Sequence, residues 1–224
     1  MTGYRRGTSQ RQRRLRIILG IALLVLVGWE AATRLNWNPN RTVGDEIDRL
    51  NGVAVFYNGG VSHTSGRNQT ADGYNLGLSY QCVEFVKRYY YQRFGHRMPD
   101  SYGHAKQFFE PGLPDGSLNP RRGLLQFMNS GSSKPRPEDL IVFGPSLLNR
   151  YGHVAIVSAV TDSDLEIVQQ NPGPFGPSRE RIALVCESGQ WRCQNRRVLG
   201  WLRKPPAAPG HPIPAPTVPS PAAP

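Results

Sequence analysis

The 224-residue sequence is poor in cysteine, with three, and in acidic residues, with 16 against 27 lysines and arginines. No cysteine pair has Cys-x-x-Cys spacing and no histidines are spaced as zinc ligands, so we expect no metal and no other cofactor. The sequence also lacks an internal repeat and any motif typical of nucleic-acid binding, which argues against a nucleic-acid partner. Its length leaves room for one ordinary domain and some appendages.

The sequence has a single long apolar run, over residues 17–29. A basic segment followed by such a run is typical of an export signal. Much of the net charge of +11 lies in that basic segment, which contains Arg5, Arg6, Arg11, Arg13, Arg14 and Arg16.

The residues at the end of this run favour an export signal that is retained as a membrane anchor. Cleavage after Ala31 or Ala32 would place Trp29 or Glu30 where signal peptidase needs a small residue. We therefore expect an uncleaved transmembrane signal anchor over residues 15–33. The arginines should keep residues 1–14 in the cytoplasm and leave the following domain outside it.

The remaining sequence divides into three parts. Residues 34–50 are expected to form a connector and residues 51–204 one domain. Residues 205–224 are rich in proline and alanine, which predicts a disordered tail or spacer.

Periodicity within the domain predicts an α+β fold, with helices first and strands second. We expect short helices over residues 45–50 and 102–109, and a surface loop over residues 62–78. Strands are expected over residues 53–57, 140–143, 153–160, 165–171, 181–186 and 198–202, with a strand or crossover over residues 121–128.

A further helix is predicted to begin near Cys82, with Ser79 as N-cap and Gly95 as its end. Cys82 would then occupy about the third helical position, where free N–H groups and the helix dipole lower a thiol pKa. The alternative is a small apolar side chain buried under the helix. The apolar face of this helix would comprise Val83, Val86, Tyr89 and Tyr90.

Of the five histidines, His153 is the best candidate for a base that activates a thiol. It follows Gly152 and begins a rigid apolar strand, which would hold its ring in place. A hairpin would return Gln169 and Asn171 to its side, with Gln170 on the opposite face. Either of the first two amides could accept the ring N–H. The others, His63, His96, His104 and His211, are expected at the surface or in the tail.

The other two cysteines, Cys186 and Cys193, lie close in sequence around a Ser-Gly turn. Outside the cytoplasm they could form a hairpin disulfide, which would leave Cys82 as the unpaired, reactive thiol.

Four segments, in this order, resemble the CHAP (cysteine, histidine-dependent amidohydrolase/peptidase) family. They are residues 80–85 (Tyr-Gln-Cys-Val-Glu-Phe), 137–143 (Pro-Glu-Asp-Leu-Ile-Val-Phe), 152–156 (Gly-His-Val-Ala-Ile) and 167–171 (Ile-Val-Gln-Gln-Asn). Within the family, the sequence is most similar to the amidase domain of glutathionylspermidine synthetase/amidase. The resemblance implies a papain-like fold, a helix carrying the cysteine packed on an antiparallel sheet.

The resemblance also implies roles for individual residues. Cys82 would be the nucleophile and His153 the base, with the third member at Gln169 or Asn171. Asn171 matches the family, whereas Gln169 stands where many relatives have Glu. The Cys82 N–H, with Gln81 and Tyr80 beside it, would form the oxyanion or substrate-binding site.

Together these features predict a membrane-anchored, extracytoplasmic cysteine amidohydrolase or endopeptidase. With an export signal, the expected substrate and partner is peptidoglycan. Two alternatives remain: an amidase for γ-glutamyl or polyamine conjugates of the glutathionylspermidine type, and a non-catalytic wall-binding module.

Overall fold

The computed structural model describes residues 10–147 and 149–206. The arginines at 5 and 6, His211 and the predicted tail from residue 207 lie outside the described residues. Two α-helices, α1 (Gln10–Arg34) and α2 (Cys82–Phe94), and a 3-10 helix (Ala105–Phe108) accompany the strands. The strands are β1 (Glu46–Leu50), β2 (Val53–Phe56), β3 (Arg67–Gln69), β4 (Asn75–Leu78), β5 (Ser117–Asn119), β6 (Leu124–Met128), β7 (Leu140–Phe143), β8 (His153–Val160), β9 (Asp164–Val168), β10 (Arg179–Glu187), β11 (Gln190–Cys193) and β12 (Val198–Arg203).

Eight strands form one antiparallel sheet in the order β11-β10-β9-β8-β7-β12-β6-β5. The hairpins β1–β2 and β3–β4 form separate two-stranded sheets. The α+β prediction is therefore confirmed.

Both faces of the large sheet are buried. One face packs under α2, where Phe85, Val86 and Tyr89 contact strand residues such as Val154. The other face carries a cluster around Trp201 to which only strands contribute among the described residues. The pairing register shifts within β8, between Val157 and Ala159, and within β12, between Val198 and Gly200, as at a β-bulge.

The start of α2 differs from the prediction by a few residues. Gln81 is the N-cap, without a side-chain hydrogen bond, and Cys82 is the first helical residue. The expected Ser79 cap and third-position cysteine are therefore wrong. Tyr80 has a φ of 64°, and this left-handed residue turns the chain directly into the helix. The predicted end at Gly95 is confirmed, because its N–H bonds the Tyr90 and Tyr91 carbonyls from a left-handed conformation.

Three further predictions of local structure are wrong. Where a helix was expected over residues 45–50, Glu46–Leu50 form β1, because Asn51 and Gly52, both with positive φ, make a tight hairpin to β2. The expected loop over residues 62–78 contains the β3–β4 hairpin. Of the helix expected over residues 102–109, only Ala105–Phe108 forms, after Gly103 at a φ of 108°.

The helix α1 is long and apolar enough to cross a membrane, with 25 residues and a mean hydropathy of 2.0 in its most apolar window. Its C-terminal end contacts the domain, where the Thr33 carbonyl accepts the Ser62 N–H at 2.9 Å. A Cβ at Gly60 would lie 2.4 Å from the Thr33 carbonyl oxygen. A residue without a side chain is therefore needed at this contact.

Candidate functional site

Cys82 lies in a cleft of about 770 Å³ between the domain and the end of α1. As the first residue of α2, it has a backbone N–H without an intrahelical acceptor. The walls of the cleft include Trp29 of α1, Arg67 of β3 and the segment from Asn149 to Gly152. The predicted nucleophile thus lies at the base of an opening large enough for a small peptide.

Burial dominates the chemistry of the Cys82 thiol, since only 7% of the residue is exposed. Burial raises the pKa of the thiol to about 11, although the backbone N–H groups of Val154, Val83 and Cys82 itself act to lower it. The prediction that the Cys82 pKa is lowered is therefore wrong, because desolvation of the thiolate outweighs its stabilisation by the N-terminus of α2. The thiol is protonated at neutral pH.

His153 begins β8, as predicted, and its ring is buried. Its Nε2 lies 2.9 Å from Oε1 of Gln169, just beyond the end of β9. Burial lowers the pKa of His153 to about 4, while the Gln169 contact acts to raise it. The ring is therefore neutral at pH 7, and as a donor at Nε2 it leaves Nδ1 free to accept a proton.

The turn before His153 depends on Gly152, which has a φ of 78°. A Cβ there would lie 2.5 Å from the Phe143 carbonyl oxygen and 2.9 Å from the Lys106 side chain. Nδ2 of Asn149 donates to the Gly152 carbonyl at 2.7 Å, which closes the turn. The position before His153 therefore requires glycine, which packs closely against Phe143 and Lys106.

Cys82 and His153 line different cavities, although the thiol lies against the residue that follows His153. The Val154 N–H acts on the thiol, which places it against the start of β8. His153 lines a second cavity of about 320 Å³, and Val61 and Asn149 line both cavities. Within the described residues, no hydrogen bond joins the thiol to the His153 ring. Such contacts are often long in ligand-free enzymes and tighten when substrate binds.

The two amides considered as partners for His153 have different contacts. Gln169 contacts the ring, whereas Asn171 donates to Oε1 of Gln81 at 2.8 Å and to the Val61 carbonyl at 2.9 Å. Nε2 of Gln81 donates to the His63 carbonyl at 2.6 Å. Asn171 thus fixes the residue before the thiol rather than the imidazole.

Tyr80, predicted beside the oxyanion site, packs its ring edge-on against Phe56 at 5.6 Å. Its hydroxyl lies beside Gly44, where a Cβ would be 3.1 Å away. Tyr80 is not among the residues that line either cavity.

A buried polar network under the start of α2 was not predicted. Glu84 and Arg88 form an ion pair at 2.6 Å, with side chains 1% and 8% exposed. Gln170, on the face opposite Gln169, donates to Glu84 at 2.8 Å and to the Gln81 carbonyl at 3.0 Å. The i, i+4 spacing of Glu84 and Arg88 on a predicted helix was the sequence signal that could have indicated this ion pair.

The remaining histidines and cysteines have other surroundings. His104 lines the Cys82 cleft and stacks on Tyr151, with ring centroids 4.4 Å apart. Nε2 of His96 lies 2.9 Å from the Arg122 carbonyl oxygen. His63 is partly exposed and contacts Ser65.

Cys186 and Cys193 are both free thiols, so the disulfide considered from their spacing is not formed. In the β10–β11 hairpin, Cys186 is paired with Trp191 and Cys193 with Leu184. The two cysteines are therefore diagonal neighbours, farther apart than the Cβ separation that a disulfide bridges.

The chain is similar in sequence to known proteins. The CHAP domain family matches residues 70–171. The chain is 31% identical over 107 residues to trypanothione synthetase of Crithidia fasciculata, covering 48% of this chain and 16% of the relative. It is 30% identical over 138 residues to glutathionylspermidine synthase of the same organism, covering 57% and 19%. The chain thus matches less than a fifth of the length of these relatives. Its matched region includes Cys82, His153, Gln169 and Asn171, and the chain carries a CHAP domain.

Proposed function

We propose that the chain is a cysteine amidohydrolase of papain-like fold, with Cys82 as nucleophile and His153 as general base. The observation that carries the proposal is the placement of Cys82 at the start of α2 against the first residues of β8, with Gln169 holding His153. A CHAP domain favours amidase or peptidase activity.

In this proposal the resting site is neutral, with a thiol and an imidazole. Nδ1 of His153 takes the proton from Cys82 as the sulfur attacks the amide carbonyl, and the imidazolium then protonates the leaving amine. Water hydrolyses the thioester after His153 removes one of its protons. The Gln169 oxygen stabilises the imidazolium less than a carboxylate would, because it carries no full charge.

The backbone N–H of Cys82 is the proposed oxyanion donor. As the first N–H of α2 it lacks an intrahelical acceptor, and the helix dipole favours negative charge there. Asn171 and Gln170 keep this turn in place through their bonds to Gln81. Preorganised donors of this kind can contribute a large share of the rate enhancement in acyl transfer.

We further propose that α1 is an uncleaved signal anchor and that the domain acts outside the cytoplasm on peptidoglycan. The support is the helix length and composition and the arginines that precede its apolar run. An extracytoplasmic amidohydrolase held at the membrane has the amides of the wall within reach.

A second candidate function follows from the relatives, one of which is named glutathionylspermidine synthase. The same residues could hydrolyse a glutathione–polyamine amide. A non-catalytic wall-binding module is the third candidate, and its main support is that the ring partner of His153 is the neutral amide of Gln169.

The test is to incubate the full chain in detergent with purified sacculi and, separately, with glutathionylspermidine, and to analyse products by mass spectrometry. Cys82→Ala is the matched control, and Cys186→Ala should behave as wild type. Wall fragments made by wild type alone would support the proposal and identify the bond. Wall fragments made equally by Cys82→Ala would contradict it. Cleavage of the conjugate alone would favour the second candidate.

A further inference from the structure

Two arginines at the edge of the Cys82 cleft have exposed side chains and no acidic partner in the described part of the chain. Arg67 lies on β3 and Arg150 lies in the turn before β8, and both line the cleft. Their side-chain hydrogen bonds go to Asn75 and Tyr151, which are neutral. Each guanidinium therefore keeps its full charge for a ligand.

Arg67 lies on the cysteine side of the cleft. In the β3–β4 hairpin it is paired with Leu78, whose carbonyl accepts the Gln81 N–H at 3.1 Å. Its Nη1 donates to Oδ1 of Asn75 at 2.9 Å, and its guanidinium lies 5.6 Å from the centre of the Tyr102 ring. These contacts restrict the side chain while leaving donors free.

Arg150 lies on the histidine side, in the turn that leads into His153. Its Nη2 donates to the Tyr151 hydroxyl at 2.8 Å, and the guanidinium lies 4.9 Å from the centre of that ring. The backbone of Tyr151 is fixed in turn, because its carbonyl accepts the Lys106 N–H at 2.9 Å. Two arginines from separate segments of the chain, β3 and the turn before β8, thus line the same cleft.

The charges of the other two charged residues that line this cleft compensate each other. Glu30 and Arg34, at the end of α1, form an ion pair within one helix. No other Asp or Glu lines the cleft among the described residues. The cleft therefore presents a net positive charge next to the thiol, which attracts anions and repels cations.

We infer that the substrate carries a carboxylate close to the scissile amide, and that Arg67 and Arg150 bind it. This inference rests on the proposed amidohydrolase function and specifies its substrate class. Planar guanidinium groups match a carboxylate through paired, charge-assisted hydrogen bonds. A peptide amide with a free neighbouring carboxylate fits this site, whereas a conjugate with a polycationic amine does not.

Binding can be measured without catalysis by calorimetry on the full chain carrying Cys82→Ala, in detergent. The probe is the peptide Ala-γ-Glu-Lys with the glutamyl α-carboxylate free, compared with the same peptide in which that group is a carboxamide. We expect the free acid to bind at least tenfold more tightly. Arg67→Gln and Arg150→Gln should each weaken binding of the acid about tenfold and leave binding of the carboxamide unchanged.

The matched control is Arg192→Gln on β11, which removes the same charge from an exposed pair with Glu187 outside the cleft. It should leave both affinities unchanged. Equal binding of the two peptides, or a preference for the acid that persists in the Arg67→Gln/Arg150→Gln double variant, would overturn the inference. So would failure of both peptides to bind.

The inference and the proposed function fail in distinguishable ways. One outcome is that wild type hydrolyses no wall amide while the peptide with the free carboxylate still binds more tightly than the carboxamide through Arg67 and Arg150. In that case carboxylate binding is supported and the proposed hydrolase function is contradicted. If wild type hydrolyses wall amides and the arginine variants do so with unchanged KM, the hydrolase stands and the inference fails.

Discussion

At the scale of single residues, the site is defined by two groups that burial keeps neutral. The pKa of Cys82 is raised to about 11 and that of His153 is lowered to about 4, so no thiolate–imidazolium pair exists at rest. Proton transfer must therefore accompany substrate binding, when the acyl group and the Cys82 N–H stabilise the developing charge. This differs from a site that stores a preformed thiolate.

The lowered pKa of His153 links folding to pH. Between pH 6.5 and about 4 the unfolded chain binds a proton that the folded chain excludes, so stability falls as the pH drops through this range. The loss should reach about 3 kcal/mol near pH 4. Denaturant unfolding at pH 7 and pH 4.5 should show this loss in wild type and in His63→Gln, but not in His153→Gln. Identical pH dependence in wild type and His153→Gln would contradict the assignment.

The contacts of Gln169 with Glu180 explain why this position carries an amide rather than a carboxylate. Nε2 of Gln169 donates to Glu180 at 3.3 Å and to the Pro177 carbonyl at 3.2 Å. A carboxylate at 169 would lie against both acceptors, and two close carboxylates cannot both ionise easily.

We therefore expect Gln169→Glu alone to reduce kcat roughly tenfold, the factor that one misplaced charge-assisted hydrogen bond can cost. Gln169→Glu combined with Glu180→Gln should restore or exceed wild-type kcat, because the carboxylate can then stabilise the imidazolium. Steady-state kinetics on the four proteins would test this coupling. Additive effects of the two substitutions would contradict it.

At the scale of elements, β8, which begins at His153, and β9, which ends just before Gln169, could be predicted, because β8 is continuously apolar and the turn at Asp162 sets its pairing with β9. The choice between Gln169 and Asn171 could not be predicted. Strand alternation predicts both on one face, whereas their contacts differ because Asn171 bonds Gln81 and Val61 from distant segments and Gln169 bonds His153. The raised pKa of Cys82 could not be predicted from the sequence either, because the burial of the thiol depends on packing between distant segments.

The β1–β2 hairpin shows a signal that was present and missed. The dipeptide Asn51-Gly52 is a strong hairpin signal, and both residues adopt positive φ in the structure. The polar composition of residues 45–50 suggested a helix, but pairing with β2 determines their conformation.

The network beneath α2 predicts a large cost for losing one partner. Arg88→Met would leave the Glu84 carboxylate buried without its cation, which costs about 3–5 kcal/mol. Arg93→Met on the same helix removes a half-exposed partner of Glu138 and should cost less than about 1 kcal/mol. Denaturant unfolding would distinguish them, and equal costs would contradict a structural role for the buried pair.

At the scale of the whole molecule, the end of α1 is part of the domain. It contributes Trp29 and Thr33 to the Cys82 cleft, and the Thr33 carbonyl holds the Ser62 N–H. Asn36 accepts the Tyr57 hydroxyl at 2.7 Å. The loop anchored in this way also supplies the Val61 and His63 carbonyls that hold Asn171 and Gln81.

A chain that begins at residue 41 should therefore be less stable than one that begins at residue 30. Three hydrogen bonds would be lost, those that join Thr33, Asn36 and Asn38 to Ser62, Tyr57 and Pro174. Their loss corresponds to about 3 kcal/mol, or roughly 8 °C in Tm. Thermal unfolding of both truncated proteins would measure this difference. Equal Tm values would show that the junction contributes nothing to the domain.

The central claim is that Cys82 forms a covalent acyl intermediate, and rapid acid quenching tests it most directly. The full chain would be mixed with peptidoglycan fragments, quenched within milliseconds to seconds and digested, and the peptide containing Cys82 would be analysed by mass spectrometry. We predict an acyl adduct on Cys82 in wild type, none on Cys186 or Cys193, and no turnover by Cys82→Ala. Turnover by wild type without an adduct, at a rate that Cys82→Ala retains, would contradict the account.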